Sequence, residues 1–428
     1  MNPNAPQATP AKRQAAMPFI MITVLIDMIG IGLIIPVLAP LVGTFTASPG
    51  EQAFWYGAIS FAFGVANFFG SPILGALSDH YGRRPVLLIG FSGLALSFWV
   101  TGLATELWML VAVRLLSGAM QANVSVANAY VADITPPEDR AKRFGMLGAM
   151  FGLGFVLGPV MGGVLGAIDL HLPFFVAGSM AILNALYGAF ILPESLPAAR
   201  RTRFDWRRAN PVSSFRQLQG LQGIGPLVAV LALSGLAQFT LHTSWVLYTG
   251  FKFGWGPLQN GWSMFAIGIM SIIVQGGLIR VALKRGDPQR IALWGLASSA
   301  LSYLAWGLAP AGWMMYAIIV LNVLGFMANP ALQAIVSSAA DETTQGRTMG
   351  AVSSINSVAA AIAPVIGASL LGMVSHLPQH DWRIGAPMYL CAALCAAAAV
   401  LAARHFKRHP AHTATPADPA TAATHPVA

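Results

Sequence analysis

The chain has 428 residues, of which 56% are hydrophobic and only 9% are charged. Soluble domains carry about 25% charged residues, so this composition excludes a soluble globular protein and leaves an integral membrane protein. The formal net charge is +9. Its basic residues lie in short loops between apolar runs, which indicates membrane topology and no nucleic-acid partner.

Six apolar runs precede and six follow an arginine-rich stretch, and each has the length of about 20 residues that a membrane-spanning helix needs. This pattern predicts an all-α integral membrane protein with two pseudo-symmetric six-helix bundles. The predicted divisions are a disordered cytoplasmic tail (1–17), the N-terminal bundle (18–193), a cytoplasmic linker (194–222), the C-terminal bundle (223–404) and a second disordered cytoplasmic tail (405–428).

Nearly all of the 24 Lys and Arg residues fall on one predicted side of the membrane. Only Lys252 and Arg383 fall on the other side, and Arg114 lies inside an apolar run. Because cytoplasmic loops are enriched in basic residues, both termini are predicted to be cytoplasmic. Cys391 and Cys395 share one apolar run, which indicates helix packing rather than a disulfide framework.

The first run carries Asp27 well inside its apolar stretch. Ionisable groups in hydrocarbon are costly and mark functional sites by default. Because hydrocarbon disfavours a charged carboxylate, this side chain is a candidate proton carrier. The alternative is a carboxyl satisfied by local hydroxyls or a neighbouring helix, with no role in transport. Arg114, at the start of the fourth run, is its predicted charge partner, unless it extends to the membrane interface instead.

A polar loop joins the second and third runs and reads Gly75-Ala-Leu-Ser-Asp79-His-Tyr-Gly82-Arg83-Arg84-Pro85. Its carboxylate and arginines can form charge-assisted hydrogen bonds with each other or with a neighbouring helix end. Asp133, at the end of the fourth run, is a candidate partner, and Arg140 follows it. The alternatives are a solvated loop and simple helix capping.

Small and polar residues distinguish two further regions. The fifth run contains Gly154, Gly158, Pro159, Gly162 and Gly163, whose spacing permits close helix approach. Amides and a histidine within Met-rich and aromatic runs suit a cavity for a lipophilic compound; these are Asn123, Gln238, His242, Asn329, Gln333 and Asn356. His242 has the alternative of plain packing, and the Asn329-Pro330 pair predicts a break in the tenth run. No metal or cofactor site and no enzymatic activity are expected.

The polar loop resembles the signature Gly-x-Leu-Ser-Asp-x-x-Gly-Arg-Arg-Pro of the major facilitator superfamily. Arg114 with Gly118 and Ala122, and the Gly154–Gly163 string, resemble further motifs of its twelve-helix drug:proton antiporters, particularly tetracycline resistance efflux proteins. Such a resemblance implies a monomeric inner (cytoplasmic) membrane antiporter for antibiotic efflux that acts on protons and a small molecule. It also implies that Asp27 and Arg114 couple transport to protons. The Gly75–Pro85 loop, with Asp133 and Arg140, would control access to the cavity from the cytoplasm, and the Gly154–Gly163 string would allow close helix packing.

The resemblance leaves the substrate undefined. Tetracycline pumps carry intramembrane acids in the third and ninth helices, whereas this chain has Ser97 and Ser299 there. A small lipophilic compound such as a tetracycline-like drug is the first expectation. The alternative is a metabolite symporter or facilitator of the same superfamily.

Overall fold

A computed structural model describes residues 10–121, 123–206, 225–339, 345–379 and 381–408, and all regular structure within these ranges is helical. Two helices are grouped under one label where they belong to one span. The labels run α1 Pro10–Thr44, α2 Pro49–Tyr81, α3 Arg83–Gly102, α4 Leu107–Met120 with Asn123–Ile134, α5 Arg140–Ile168, α6 Leu172–Ile191, α7 Gly225–Phe253, α8 Pro257–Ile273 with Ile279–Arg285, α9 Pro288–Leu308, α10 Trp313–Leu321 with Val323–Ala339, α11 Gln345–Val374 and α12 Ala386–Arg408.

Within the described ranges, eleven spans are long and apolar enough to cross a membrane, and α10, bent by 47°, makes a twelfth when its two helices are taken as one span. The prediction of an all-α membrane protein is thereby confirmed. The break in α10 lies at Asn322 rather than at the predicted Asn329-Pro330. The Asn322 side chain accepts a hydrogen bond from Ser298 at 3.0 Å, whereas the helix continues through Pro330. Spanning helices tolerate proline when neighbouring helices satisfy the freed backbone group.

Two predicted boundaries differ from the structure. Helix α1 begins at Pro10 and α12 ends at Arg408, so the tails predicted over 1–17 and 405–428 are partly helical. The segment after Pro10 is rich in Ala, Lys, Arg and Gln, all of which favour helix. The described part of the linker, 194–206, contains one 3₁₀ turn at Ala198–Arg200. The rest of the predicted linker and the tail after Arg408 lie outside the described residues.

Helix pairing repeats between the two halves of the chain. In the first half α1 packs along α5, and α3 along α6; in the second half α7 packs along α11, and α9 along α12. The halves meet mainly through two pairs, α2 with α11 and α5 with α8, and α7 also touches α1 and α2. This arrangement is the pseudo-symmetric pair of six-helix bundles.

The two membrane faces differ in how closely the bundles approach. We call the face with the turns at 81–83, 134–140 and 285–288 the basic face, and the other face the far face. Near the far face, a Cβ on Gly57 of α2 would lie 2.6 Å from the Ala368 Cβ of α11. Nearer the basic face, Cβ atoms on Gly152 of α5 and Gly276 of α8 would meet nothing within 4 Å. Among these described glycines, the close contacts between the bundles therefore lie toward the far face.

Candidate functional site

Arg83 is the centre of a charged cluster at the basic face. It is the first residue of α3 and is only 9% exposed. Its guanidinium reaches Asp79 of α2 at 2.6 Å, Asp133 of α4 at 3.1 Å and the Ser78 hydroxyl at 2.5 Å. One side chain thus ties the ends of three helices together, and the structure brings the predicted residues Asp79, Arg83 and Asp133 into contact.

Gly82 makes the sharp turn that this cluster requires. Its φ is +108°, a conformation that L side chains rarely adopt. A Cβ at this position would also collide with the Glu194 carboxylate. Gly82 therefore allows the sharp turn between α2 and α3 and leaves room for Glu194, in the segment after α6, to come close to that turn.

Glu194 belongs to this cluster, although sequence reasoning placed it only at the start of the linker. Its carboxylate accepts the backbone N–H groups of Arg83 at 2.9 Å and Arg84 at 3.3 Å. These are orphan donors at the N-terminus of α3, where negative charge is favoured. Arg201 lies 3.9 Å from the same carboxylate. The local signal was weak, because a Pro-Glu-Ser string after an apolar run does not reveal which distant helix it will cap.

Further bonds hold the segment after α6 over the cluster. Ser195 donates to Asp133 at 3.2 Å, and the Tyr130 hydroxyl donates to the Pro193 carbonyl at 2.8 Å. The Thr202 N–H donates to the Asp79 carbonyl at 3.1 Å. The Arg84 guanidinium donates to the Ala189 carbonyl. These bonds all lie within the first half of the chain.

Gly75 and Arg140, the other predicted gating residues, lie at the edge of this cluster. A Cβ on Gly75 would meet nothing within 4 Å. Arg140, at the start of α5, donates to the Ala132 carbonyl near the end of α4 at 3.4 Å. The structure therefore places Arg140 across the turn between α4 and α5, without an ion pair to Asp79 or Asp133.

Asp27 lies in the interior of the N-terminal bundle. It lines a cavity of about 10 Å³ whose other lining residues come from four helices: Val24, Met28, Phe91, Asn123, Ala127 and Phe151. In the part of the chain that the structure describes, no hydrogen bond or ion pair is recorded for this carboxyl.

Arg114 does not pair with Asp27. Its guanidinium lies 5.9 Å from the centre of the Phe63 ring on α2, in a cation–π arrangement, and interacts electrostatically with Tyr56 on the same helix. The expected charge partnership is therefore absent between these two described residues. Ser97, where tetracycline pumps carry an acid, is buried and donates to the Val113 carbonyl at 3.0 Å. Ser299 is likewise buried.

The glycine string of α5 has two contact surfaces. Gly154, Gly158 and Gly162 face α1, and a Cβ on Gly158 would lie 2.6 Å from the Gly32 Cα. Gly163 faces the other bundle, where its Cβ would lie 3.0 Å from the Gly261 Cα of α8; a Cβ on Gly261 would lie 2.5 Å from the Pro159 carbonyl oxygen. The motif thus joins α1 to α5 and seals α5 against α8 at the far face.

The predicted cavity residues divide between two places. In the C-terminal bundle Asn329 donates to Gln238, and the Asn356 amide oxygen would lie 3.0 Å from a Cβ on Gly235 of α7. His242, one turn after Gln238, is exposed on a helix that contacts helices of both bundles. Gln333 is also exposed. Asn123 is instead 2% exposed and lies beside the Asp27 cavity. Among the described residues there is no group of His, Cys, Asp and Glu side chains that could hold a metal ion.

Comparison with known proteins agrees with this architecture. The family profile described as Major Facilitator Superfamily matches residues 20–364 and 287–427. The chain belongs to the Major Facilitator Superfamily. The tetracycline resistance protein, class C, of Escherichia coli is 36% identical over 380 residues, covering 89% of this chain and 96% of that protein. The class D protein of Salmonella ordonez is 33% identical, covering 88% and 95%.

Solved structures of the superfamily share the fold at lower identity. A bacterial homologue of the human lysosomal transporter Spinster, solved in an inward-facing and unoccupied conformation, matches with a TM-score of 0.72 at 17% identity, covering 94% of this chain and 99% of that one. The human organic anion transporter MFSD10 matches with a TM-score of 0.65 at 23% identity, covering 92% and 100%. At these identities the likeness concerns the fold alone.

Proposed function

We propose that this protein is a proton-coupled antiporter that exports a small lipophilic, tetracycline-like compound across the inner (cytoplasmic) membrane. The observation that carries this proposal is the 36% identity with the class C tetracycline resistance protein, which spans 96% of that protein. An intramembrane carboxyl, Asp27, supplies a group that can take up the coupled proton. The basic loops orient the protein with its basic face and both termini in the cytoplasm.

Asp27 is the proton carrier in this proposal. In the outward-open state it takes up a proton from the far face while substrate leaves, and in the inward-open state it releases that proton to the cytoplasm while new substrate enters. A charged carboxylate in an apolar surrounding is unfavourable without a partner, so each proton step changes which state is preferred. Arg114 of α4, whose guanidinium lies over the Phe63 ring of α2, adjusts the electrostatic potential of the N-terminal bundle from a distance.

The Arg83 cluster is the gate at the basic face. In the described conformation the Arg83 bonds to Ser78, Asp79 and Asp133 stay within one bundle. We infer that the cluster keeps the ends of α2, α3 and α4 rigid so that they close as one body against the C-terminal bundle. That closure forms the outward-open state.

The exported compound binds between the bundles. Its ligands in the C-terminal bundle are neutral amides and an imidazole, which suit hydrogen-bonding groups on a mostly lipophilic compound; these are Gln238, His242, Asn329, Gln333 and Asn356. The protein acts as a monomer, because each chain contains both bundles and hence a complete cavity.

The test uses proteoliposomes that enclose a pH-sensitive dye. Tetracycline added without an imposed gradient is expected to evoke proton movement in the wild type and none in Asp27→Asn. The matched control is Asp287→Asn, because Asp287 caps α9 outside the membrane and asparagine caps equally well. Unchanged proton movement in Asp27→Asn would remove Asp27 from the mechanism. Tetracycline that equilibrates without any proton movement would indicate a facilitator.

A further inference from the structure

Asn123 is a buried polar side chain whose surroundings do not satisfy it. It begins the second helix of α4 and is 2% exposed. Neither its Oδ1 nor its Nδ2 has a hydrogen-bond partner among the described residues. Burial of an unpaired amide is costly, so such a group requires an explanation. The side chain fits because α3 has Gly90 opposite it, where a Cβ would collide with the amide.

The Asn123 amide lines the same cavity as the Asp27 carboxyl, and the cavity has a volume of about 10 Å³. A space of about 10–15 Å³ accommodates one water molecule if two to four polar groups can bind it. The carboxyl provides two oxygens, and the amide provides donors and an acceptor. The other described side chains of the lining are apolar, so among them Asp27 and Asn123 carry the groups that can hold a polar ligand.

We propose that this cavity is a one-water site, in which a single water molecule bridges Asn123 and Asp27 and delivers the coupled proton. This inference rests on the proposed role of Asp27. When the carboxyl is charged, the water donates to it and accepts from Nδ2 of Asn123. When the carboxyl is protonated, its O–H donates to the water, which donates to Oδ1 of Asn123. The amide serves both states without rotating because it carries both a donor and an acceptor.

The proton balance is simple. An incoming proton is taken up by the bridging water, which passes one of its own protons to a carboxylate oxygen of Asp27 and stays in the site as a neutral water; release is the reverse. Asn123 is a positioning residue that does not itself gain or lose a proton. No other titratable side chain lines the cavity. The titratable groups of α4 lie seven to ten residues from Asn123, which is about 10–15 Å along the helix axis; they are Arg114, Tyr130 and Asp133.

Difference infrared spectroscopy on the full chain in lipid can detect this water directly. On acidification in H₂¹⁶O and then H₂¹⁸O, the wild type should show a water O–H band that shifts with the isotope. It should also show a carboxylic C=O band that is absent from Asp27→Asn. Asn123→Leu preserves side-chain size but removes the polar atoms. It should abolish the water band and move the C=O band to higher wavenumber, because the acid loses its hydrogen-bond partner.

Transport gives a second readout. Loss of a hydrogen bond to a charged group should slow tetracycline-evoked proton movement about tenfold in Asn123→Leu. Asn128→Leu, on the same helix but outside the cavity lining, should leave both bands and the rate unchanged. If Asn123→Leu does not fold, Asn123→Ala should shift the two bands rather than abolish the water band.

The outcomes separate this inference from the proposed function. Proton movement that persists in Asp27→Asn refutes the role of Asp27 and with it both proposals. Proton movement that is lost in Asp27→Asn, with both bands unchanged in the Asn123 variants, refutes only the one-water site. The absence of an isotope-sensitive water band in the wild type would also overturn it.

Discussion

Replacement of Arg83 by lysine tests whether one guanidinium holds the ends of three helices. The Arg83 Nε, Nη1 and Nη2 atoms reach separate oxygens on Asp133, Ser78 and Asp79. A lysine has a single nitrogen and cannot occupy three positions. Each lost charge-assisted hydrogen bond costs about 1.5–3 kcal/mol. The Asp79 side chain is 47% exposed, so solvent screening makes its share small. We expect Arg83→Lys to lower the free energy of unfolding by about 2–3 kcal/mol.

The assay is equilibrium unfolding of the purified protein in mixed micelles, followed by tryptophan fluorescence. Arg383→Lys is the matched control because Arg383 also pairs with an aspartate, Asp381, at 2.7 Å, but its side chain is 55% exposed. That control should leave the free energy of unfolding close to the wild-type value, because an exposed ion pair contributes little. If the two variants lose equal stability, or if Arg83→Lys loses none, the reasoning about the buried cluster is wrong.

Two other substitutions test contacts that the structure shows. Glu194→Ala should lower the free energy of unfolding by about 1–2 kcal/mol because α3 loses its N-cap; Glu194→Gln, which keeps an acceptor oxygen, should recover part of this loss, and equal losses would contradict the capping role. Gly163→Val should hold the far face open because its side chain meets Gly261 of the other bundle. Labelling of a cysteine introduced into the cavity from the far face should therefore increase. Gly152→Val, whose Cβ meets nothing within 4 Å, is the control, and equal labelling of the two variants would show that the contact does not seal that face.

The sequence was informative where the relevant residues are close in the chain or belong to a long apolar run. Length and hydropathy predicted the spans, because a helix in lipid must satisfy its own backbone and needs about 20 apolar residues. The contact between Arg83 and Asp79 is also local, since the two residues lie four positions apart on either side of the turn at Gly82.

Contacts between distant segments could not be predicted in this way. Glu194 bonds a backbone group 111 residues away, and no periodicity encodes that pairing. Asn123 follows a break in α4 that sequence alone did not reveal, so its amide was assigned to the central cavity. The bend at Asn322 has the same origin, because it depends on a side-chain bond to Ser298 on another helix, which the local sequence does not encode.

The distribution of contacts also suggests why a rocking motion costs little energy. The ion pairs of Asp79, Asp133, Glu194 and Asp381 each join residues of one half of the chain. Between the bundles, the far-face contacts of α2 with α11 and of α5 with α8 include glycine, alanine and proline surfaces. Separation of such surfaces breaks dispersion contacts but no ion pair, and each atom pair contributes only about 0.1–0.2 kcal/mol. Within the N-terminal bundle, by contrast, α1 and α5 are in close glycine contact and Arg83 ties α2, α3 and α4. These contacts favour movement of the N-terminal bundle as one body, and under the proposed mechanism protonation of Asp27 biases which face is open.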